Sequence, residues 1–314
     1  MSAAASSGSP AEEAGGPVPP RVRVRDWPLV SARTLAVLGW TAAMGASLAV
    51  AWLPTIVRPR SAAVDRARAR RRVKGVWARG LTRVMGIRVV ARGRRPPQGA
   101  LIVSNHLGYL DIPVLDSVMP MVFVARADLR RWPFWGLMAT LGGTIYVDRA
   151  TKRDVLRVRR EMRDALARGD NVIVFPEATS TGGETMLPFK PALLSDAAAD
   201  GSPVHWLTIS YRTPPDGPAA RDRACWWGDS AFVPHVLGLF AVRRVDCTVR
   251  FGDAPVRSRD RKAMAAELRA RMLARFEPVG GWEAPREPLR SAAERRRARG
   301  TVAGGREAPR EPLR

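Results

Sequence analysis

The stretch ALIVSNHLGYLDIPVLDSV, residues 100–118, contains an apolar run, a polar loop and a helical pattern in immediate succession. The run ALIVS is short and rich in branched side chains, which is typical of a strand buried on both faces. His106 follows this run directly, and Asp111 lies near the start of the helical segment DIPVLDSV. A chain that leaves the carboxyl end of a strand presents side chains to the crevice in which α/β proteins bind ligands. The stretch therefore predicts an α/β fold with a polar site at this strand end.

Similar apolar runs recur on both sides of this stretch and alternate with helical patterns. One helical pattern covers residues 152–168, with Val158 and Met162 on a single face, and another covers residues 258–276. This alternation predicts an α/β fold whose mixed, largely parallel sheet is flanked by helices. In addition to the strand at 100–104, strands are predicted at 87–90, 121–125, 143–147, 171–175, 204–210 and 245–251.

An uncharged segment, residues 34–57, lies between Arg33 and Arg58. As a helix rising 1.5 Å per residue it would reach about 36 Å, enough to cross a hydrocarbon core of roughly 30 Å. A helix embedded in one leaflet, a buried core helix and a cleavable signal peptide remain alternatives. Basic residues are denser after the segment than before it, so the positive-inside rule predicts an inner-membrane protein whose main domain faces the cytoplasm.

Four segments follow from composition. Residues 1–26 are rich in Ala, Ser, Gly and Pro and are expected to form a disordered leader. Residues 27–58 are expected to form a transmembrane or membrane-embedded segment, and residues 59–278 the main domain. The basic tail, 279–314, contains EAPREPLR twice and is expected to be disordered. A basic amphipathic helix over 61–85 is expected to lie on anionic lipid, or alternatively to be a core helix with a solvated charged face.

The charge balance narrows the class of protein. There are 52 Lys and Arg residues against 29 Asp and Glu, a formal net charge of +23, which excludes an acidic soluble enzyme. A nucleic-acid-binding protein is a remote alternative, because the basic residues are dispersed and no recognised nucleic-acid module is present. Two cysteines and three histidines offer no zinc spacing and no disulfide framework, so neither a metal nor a cofactor is predicted.

His106 is the principal candidate for acid–base chemistry. A carboxylate at Asp111 can accept a hydrogen bond from one imidazole nitrogen and leave the other nitrogen free as a base. With an ordinary pKa near 6.5, such an imidazole takes a hydroxyl proton at neutral pH. His205 and His235 lie inside apolar patterns, where a packed role is the usual one.

Three further blocks follow in order along the chain: GGTIYVDR (142–149), NVIVFPEATST (171–181) and LPFKPALL (187–194), which places Lys190 at a helix entrance. Together with SNHLGYLD, they resemble the glycerolipid acyltransferase family that includes 1-acyl-glycerol-3-phosphate acyltransferases. The residues that match the family's blocks are Asn105, His106, Asp111, Gly143, Tyr146, Val147, Asp148, Arg149, Phe175, Pro176, Glu177 and Thr179, with Pro203 as a plausible start of the fourth block.

The resemblance implies a membrane-bound O-acyltransferase of phospholipid biosynthesis with the glycerolipid acyltransferase fold. It implies that His106 is the general base and that Asp111 orients it. The implied partners are membrane lipids and an acyl-CoA or acyl carrier protein that donates the acyl group, with no nucleic acid. The implied substrate-binding residues are Asn105, Arg149, Glu177, Thr179, Ser180 and Lys190.

Two departures from the family pattern concern the acceptor. Ala178 stands where the family has Gly, and Ser180 stands where members that form phosphatidic acid have Arg. The family implies a 1-acyl-glycerol-3-phosphate type of lysophospholipid as acceptor, whereas Ser180 favours a similarity to lyso-ornithine lipid acyltransferases. A catalytically inert lipid-binding relative is a third alternative. The apolar patch 231–242 is expected either to rest on the bilayer or to form a core helix.

Overall fold

A computed structural model of the 314-residue chain describes residues 22–54, 62–132, 135–148 and 151–279. The leader expected at 1–26 lies outside these residues up to position 21, and the tail expected at 279–314 lies outside them from position 280. Arg149 and residues 55–58 of the expected membrane segment also lie outside the described residues. The short 3₁₀ helix Val24–Asp26 falls within the segment that was expected to be disordered.

Helices and strands alternate in the order that the sequence predicts. The helices are α1 (Trp27–Trp52), α2 (Ala62–Val84), α3 (Asp111–Val118), α4 (Trp135–Leu141), α5 (Lys152–Ala167), α6 (Ser195–Asp200), α7 (Ala220–Arg223), α8 (Phe232–Phe240) and α9 (Arg261–Leu273). The strands are β1 (Ile87–Arg92), β2 (Leu101–Ser104), β3 (Met121–Arg126), β4 (Ile145–Val147), β5 (Asn171–Val174), β6 (Val204–Arg212) and β7 (Val245–Phe251).

The strands form one seven-stranded sheet in the order β1-β7-β6-β2-β5-β3-β4. Neighbouring strands are parallel except for β6 and β7, which are antiparallel. The prediction of a mixed, largely parallel sheet is confirmed. Because β6, β2, β5, β3 and β4 all run the same way, the loops that follow them leave from one edge of the sheet.

Side chains alternate between the two faces of the sheet along each strand. Both faces carry apolar side chains, and helices cover both of them. In β2, Ile102 packs with α2 and α3 on one face, whereas Val103 packs with α5, α6 and α9 on the other. The predicted helical pattern at 152–168 is α5, and its Val158 and Met162 are buried in this second layer. The flanking-helix prediction is therefore also confirmed.

Helix α1 lies along α2. The Trp40 indole donates a hydrogen bond to the Trp77 carbonyl oxygen at 2.9 Å, and the Trp77 indole donates to Thr41 Oγ1 at 3.1 Å. Near the start of α1, the Arg33 guanidinium donates to the carbonyl oxygens of Phe240 and Val242 at the end of α8. Among the described residues, Val24–Trp52 is the one helical stretch long and apolar enough to cross a membrane.

Helix α2 directs several of its basic side chains inward. Arg70 and Arg71 bind the two carboxylate oxygens of Asp170 at 2.6 and 2.7 Å, and Lys74 lies 3.1 Å from Asp116. Both carboxylates are almost fully buried, and a buried charge requires a partner. The expectation that the basic residues of this helix lie on lipid is therefore wrong for these three side chains.

Candidate functional site

The loop after β2 brings His106 and Asp111 together, as the sequence predicts. The His106 Nδ1 atom lies 2.8 Å from Oδ2 of Asp111, the first residue of α3. A carboxylate only accepts hydrogen bonds, so Nδ1 carries the proton and Nε2 keeps its lone pair. The Asp111 side chain is fully buried, whereas the His106 ring keeps a quarter of its surface exposed. The pair thus leaves the unprotonated Nε2 atom on a partly exposed ring.

Backbone groups of the same loop fix the carboxylate. The amides of Leu107 and Gly108 donate to Asp111 Oδ2 at 2.7 and 3.2 Å. Gly108 has a φ of +144°, and a β-carbon there would lie 2.8 Å from the Trp226 backbone nitrogen. A glycine is therefore needed for the loop to pass this close to the segment after α7.

Glu177, which follows β5, joins two loops through their backbones. Its Oε1 atom accepts a hydrogen bond from the His106 amide at 2.9 Å, and its Oε2 atom accepts one from the Leu187 amide at 2.7 Å. The side chain is 3% exposed, and burial raises the pKa of Glu177 to about 7. Through these two contacts the Glu177 side chain holds the His106 loop and the Leu187 loop together.

Asn105 is buried in the sheet. Its amide nitrogen donates to the Ile209 carbonyl oxygen at 3.0 Å, and its amide oxygen accepts from the Ile209 amide at 2.8 Å. The side chain is 1% exposed. The described contacts therefore make Asn105 a link between the end of β2 and β6. Its contact with substrate stays a prediction.

The residues after Glu177 turn towards His106. Ala178 has a φ of +66°, the left-handed conformation that glycine favours, so the alanine that stands in place of the family's glycine still adopts it. Thr179 and Ser180 line the same cavity as His106. The structure thus places these two predicted site residues and the imidazole on the wall of one cavity.

The two predicted basic site residues are not both near His106. Lys190 lies directly before the 3₁₀ helix Pro191–Leu194, where its amide donates to the Pro176 carbonyl oxygen. Its side chain is exposed and is not among the residues that line the cavity. Arg149 lies outside the described residues.

A cavity of about 450 Å³ lies beside His106 and is also lined by residues of α1, α2 and the sheet. Its wall is mostly apolar, and the His106 ring itself stacks on Phe175 with the ring centres 4.2 Å apart. Phe123 continues this wall, with its ring centre 6.3 Å from that of Phe175. The described charged residues in the wall, His106 apart, are Arg70, Lys74, Arg126 and Asp128.

Two residues close to this site were missed by sequence reasoning. Arg126 ends β3 at the same sheet edge and lines the cavity, where it forms a paired contact with Asp128 at 3.0 Å. Its position directly after a buried apolar strand was the available signal. The buried Tyr211 donates to Asp111 Oδ1 at 2.7 Å, and no local sequence pattern points to that contact.

The patch at 231–242 contains α8, which is partly a core helix. His235 is buried there: Nδ1 accepts a hydrogen bond from the Tyr109 hydroxyl, and Nε2 donates to the Cys225 carbonyl oxygen. Burial lowers the pKa of His235 to about 4, so the ring is neutral. Val233, on the other side, is 63% exposed. His235 is therefore a packed histidine, as expected.

Comparisons with known proteins agree with this geometry. A family model described as Acyltransferase matches residues 86–211. The lyso-ornithine lipid O-acyltransferase of Pseudomonas aeruginosa is 32% identical over 84% of this chain and 97% of the relative. The Rhizobium meliloti protein of the same name is 36% identical over 57% of this chain, which spans 65% of that relative's length.

A solved structure has the same fold. The crystal structure of the 1-acyl-sn-glycerophosphate acyltransferase PlsC from Thermotoga maritima matches 79% of this chain and 94% of its own, with a TM-score of 0.55 and 17% identity. The matched family model and the relatives define an acyltransferase. The chain belongs to the glycerolipid acyltransferase family.

Proposed function

We propose that this acyltransferase moves a fatty acyl group from acyl-CoA or acyl carrier protein to the free hydroxyl of a lysolipid, with His106 as the general base. The observation that carries the proposal is the 2.8 Å contact between Asp111 and His106 Nδ1, in a ring that lines a mostly apolar cavity. The contact leaves Nε2 free to take a proton, and the cavity offers an apolar chain a place beside it.

The chemistry needs no covalent acyl-enzyme. Nε2 takes the hydroxyl proton as the acceptor oxygen attacks the thioester carbonyl carbon. The C–S bond then breaks, and the leaving thiolate takes the proton back from the imidazolium. Asp111 stabilises the transient positive charge, and general-base action of this kind contributes about 10²- to 10⁴-fold to the rate.

The cavity is suited to a fatty acyl chain. Its described wall includes Val37 and Leu81 from the two N-terminal helices and Phe123 from β3. Removing a methylene group from water contributes about 0.8 kcal/mol, so an apolar channel of this kind binds a long chain without polar contacts.

The acceptor favoured by the site is a lyso-ornithine lipid. Among the described residues of the cavity wall, Arg70, Lys74 and Arg126 each have a carboxylate partner, and Ser180 replaces a guanidinium. A phosphate monoester thus finds no unpaired cation in the described wall. The names of the two relatives above support the same choice. A 1-acyl-glycerol-3-phosphate acceptor is the second candidate, supported by the family resemblance.

The contacts of α1 favour a membrane-embedded helix over one that crosses the bilayer alone. Arg33, Trp40 and Thr41 tie this helix to the rest of the domain by hydrogen bonds. Leu35 and Val50, on its exposed surface, are 71% and 64% accessible and would enter the lipid. We place the enzyme on the inner membrane with its domain on the cytoplasmic side, following the basic residues that flank the segment.

The test is acyl transfer by the purified full-length chain in mixed micelles. Lyso-ornithine lipid and lysophosphatidic acid are supplied together with labelled acyl-CoA or acyl carrier protein, and the products are separated by mass spectrometry. We expect label mainly in ornithine lipid. Label only in phosphatidic acid would overturn the acceptor, and no label in either lipid would overturn the activity.

A further inference from the structure

Tyr211 occupies a place that the proposed reaction does not yet explain. It lies near the carboxyl end of β6, is fully buried, and donates its hydroxyl to Asp111 Oδ1 at 2.7 Å. The two residues are 100 positions apart in the chain. The contact exists because β6 lies directly beside β2, the strand that carries the His106 loop.

The two oxygens of Asp111 are divided between different donors. Oδ2 accepts from the His106 ring and from the amides of Leu107 and Gly108. Among the described residues, Tyr211 is the one hydrogen-bond donor to Oδ1. A buried carboxylate oxygen without a donor is costly, so the phenol and the carboxylate hold each other in a single orientation.

We propose that Tyr211 is a positioning residue for acyl transfer: its hydroxyl fixes the Asp111 carboxylate so that Oδ2 faces His106, and it disperses the carboxylate's charge. The proposal rests on the proposed function, in which His106 is the base. Tyr211, Asp111 and His106 then form a hydrogen-bonded series of three residues, and the buried Tyr211 is its inner end.

The titratable groups that face the hydrogen-bonded residues Tyr211, Asp111 and His106 are Glu177, Cys225 and Cys247. Cys247 is the register partner of Tyr211 on β7, and Cys225 follows α7. Burial raises the pKa of both thiols well above the ordinary value, so they stay neutral through the physiological range. Glu177 is the remaining group that titrates near neutral pH, and replacing Tyr211 leaves it in place.

The Tyr211 phenol stays a donor over the same range. Burial, and then the nearby Asp111 charge, raise its pKa well above 10. Beyond Cys225, the paired charges of Arg221 and Glu184 also face that thiol. Their opposite signs make the pair a weak influence on the pH response of His106 and Asp111.

Removing the hydroxyl has a defined consequence. In Tyr211→Phe the carboxylate charge is less dispersed, so the His106–Asp111 pair binds a proton more tightly, whichever member carries it. The acidic limb of the profile of kcat/KM against pH should move upward by about 0.5 to 1 unit, and kcat should fall about tenfold. KM for both substrates should stay within about twofold, because the phenol touches neither of them.

The experiment compares the full-length wild type, Tyr211→Phe and Tyr146→Phe between pH 5 and 9, with acyl-CoA and lyso-ornithine lipid in mixed micelles. Tyr146 is a matched control, because its hydroxyl binds the Gly136 carbonyl oxygen away from Asp111. An unchanged acidic limb in Tyr211→Phe, or a change confined to KM, would overturn the proposal.

A second variant should move the acidic limb of the pH profile in the opposite direction. Replacing Tyr211 with 3,5-difluorotyrosine keeps the ring in place and strengthens the donor, so the acidic limb should move to lower pH. This variant decides the question alone if Tyr211→Phe does not fold, and an unmoved limb counts against the proposal. If His106→Ala keeps full activity, the proposed function fails. If His106→Ala is inactive and neither Tyr211 variant moves the limb, the Tyr211 role alone fails.

Discussion

The loop that leaves β2 and the loop that leaves β5 start from paired strands at the same edge of the sheet, but they are held in different ways. In the first loop, the amides of Leu107 and Gly108 and the ring of His106 all converge on one buried carboxylate. In the second, Ala178 has a left-handed backbone, and Thr179 is exposed.

In the proposed function, this difference assigns the chemistry to the first loop and the choice of acceptor to the second. The loop after β2 has its polar atoms committed to internal partners and presents one nitrogen, which suits a base whose position must not vary. The loop after β5 places Thr179 and Ser180 on the cavity wall, and in the proposed function their identity changes the acceptor without disturbing the base. Glu177 connects the two loops through the His106 amide.

The largest effect is expected from the first loop. Asp111→Asn keeps an oxygen for the backbone amides but removes the charge that stabilises the imidazolium. We expect kcat to fall on the order of 10²- to 10⁴-fold with little change in KM. Asp253→Asn is a matched control, because that carboxylate is exposed, pairs with Arg275 and does not line the cavity. Wild-type turnover in Asp111→Asn would show that the aspartate is not part of the reaction.

The residue that joins the loops should give a pH-dependent effect. Burial raises the pKa of Glu177 from the ordinary 4.5 to about 7. A raised pKa means that stability is fully present below pH 4.5 and is lost as the pH rises through 7. The free energy of unfolding of the wild type should therefore fall relative to Glu177→Gln over this window, by on the order of 1 to 3 kcal/mol. Parallel curves from denaturant unfolding at pH 4.5 to 8 would contradict this.

A smaller effect is expected from the second loop. Ser180→Arg adds a guanidinium to a wall whose described cations are already paired, and a phosphate is the ligand it suits. The ratio of lysophosphatidic acid to lyso-ornithine lipid acylated should rise about tenfold, a free-energy difference of roughly 1.4 kcal/mol. Ser180→Ala serves as the uncharged control. An unaltered ratio in competition assays would show that residue 180 does not determine which acceptor is used.

The smallest effect concerns the backbone of the second loop. Ala178 adopts a φ of +66°, which costs a residue with a β-carbon roughly 1 to 2 kcal/mol. Allowing for the greater chain entropy of glycine, Ala178→Gly should stabilise the fold by about 1 kcal/mol or less. Ala266→Gly, at an exposed position in the middle of α9, should change the denaturation midpoint in the opposite direction. Destabilisation by Ala178→Gly would contradict the assigned conformation.

The sequence predicted the strands and the His106–Asp111 pair because both depend on local pattern. The strands are continuous apolar runs, and the pair lies within one loop. The partners of Asn105 and Tyr211 were not predictable, because Ile209 and Asp111 approach them only through the pairing of β6 with β2. Such contacts depend on strand order and register, and short-range spacing carries no information about either.

The dependence on strand order and register also explains why the contacts of the basic residues of α2 were not predicted. Its basic residues follow the apolar segment closely and match a lipid-facing pattern, but Arg70 and Arg71 bind Asp170 about a hundred positions further on. A buried carboxylate between β5 and α5 could not be assigned to this helix before the fold was known. The role of the remaining α2 charges on anionic lipid stays a prediction.

One rate comparison decides whether His106 is the base for acyl transfer. Single-turnover transfer from labelled acyl-CoA to lyso-ornithine lipid is measured for the wild type, His106→Ala and His205→Ala, each checked for a native unfolding transition. His205 is a matched histidine on β6 that does not line the cavity. We expect the rate to fall about 10²- to 10⁴-fold for His106→Ala and to stay at the wild-type value for His205→Ala. A wild-type rate for His106→Ala would show that His106 is not the base.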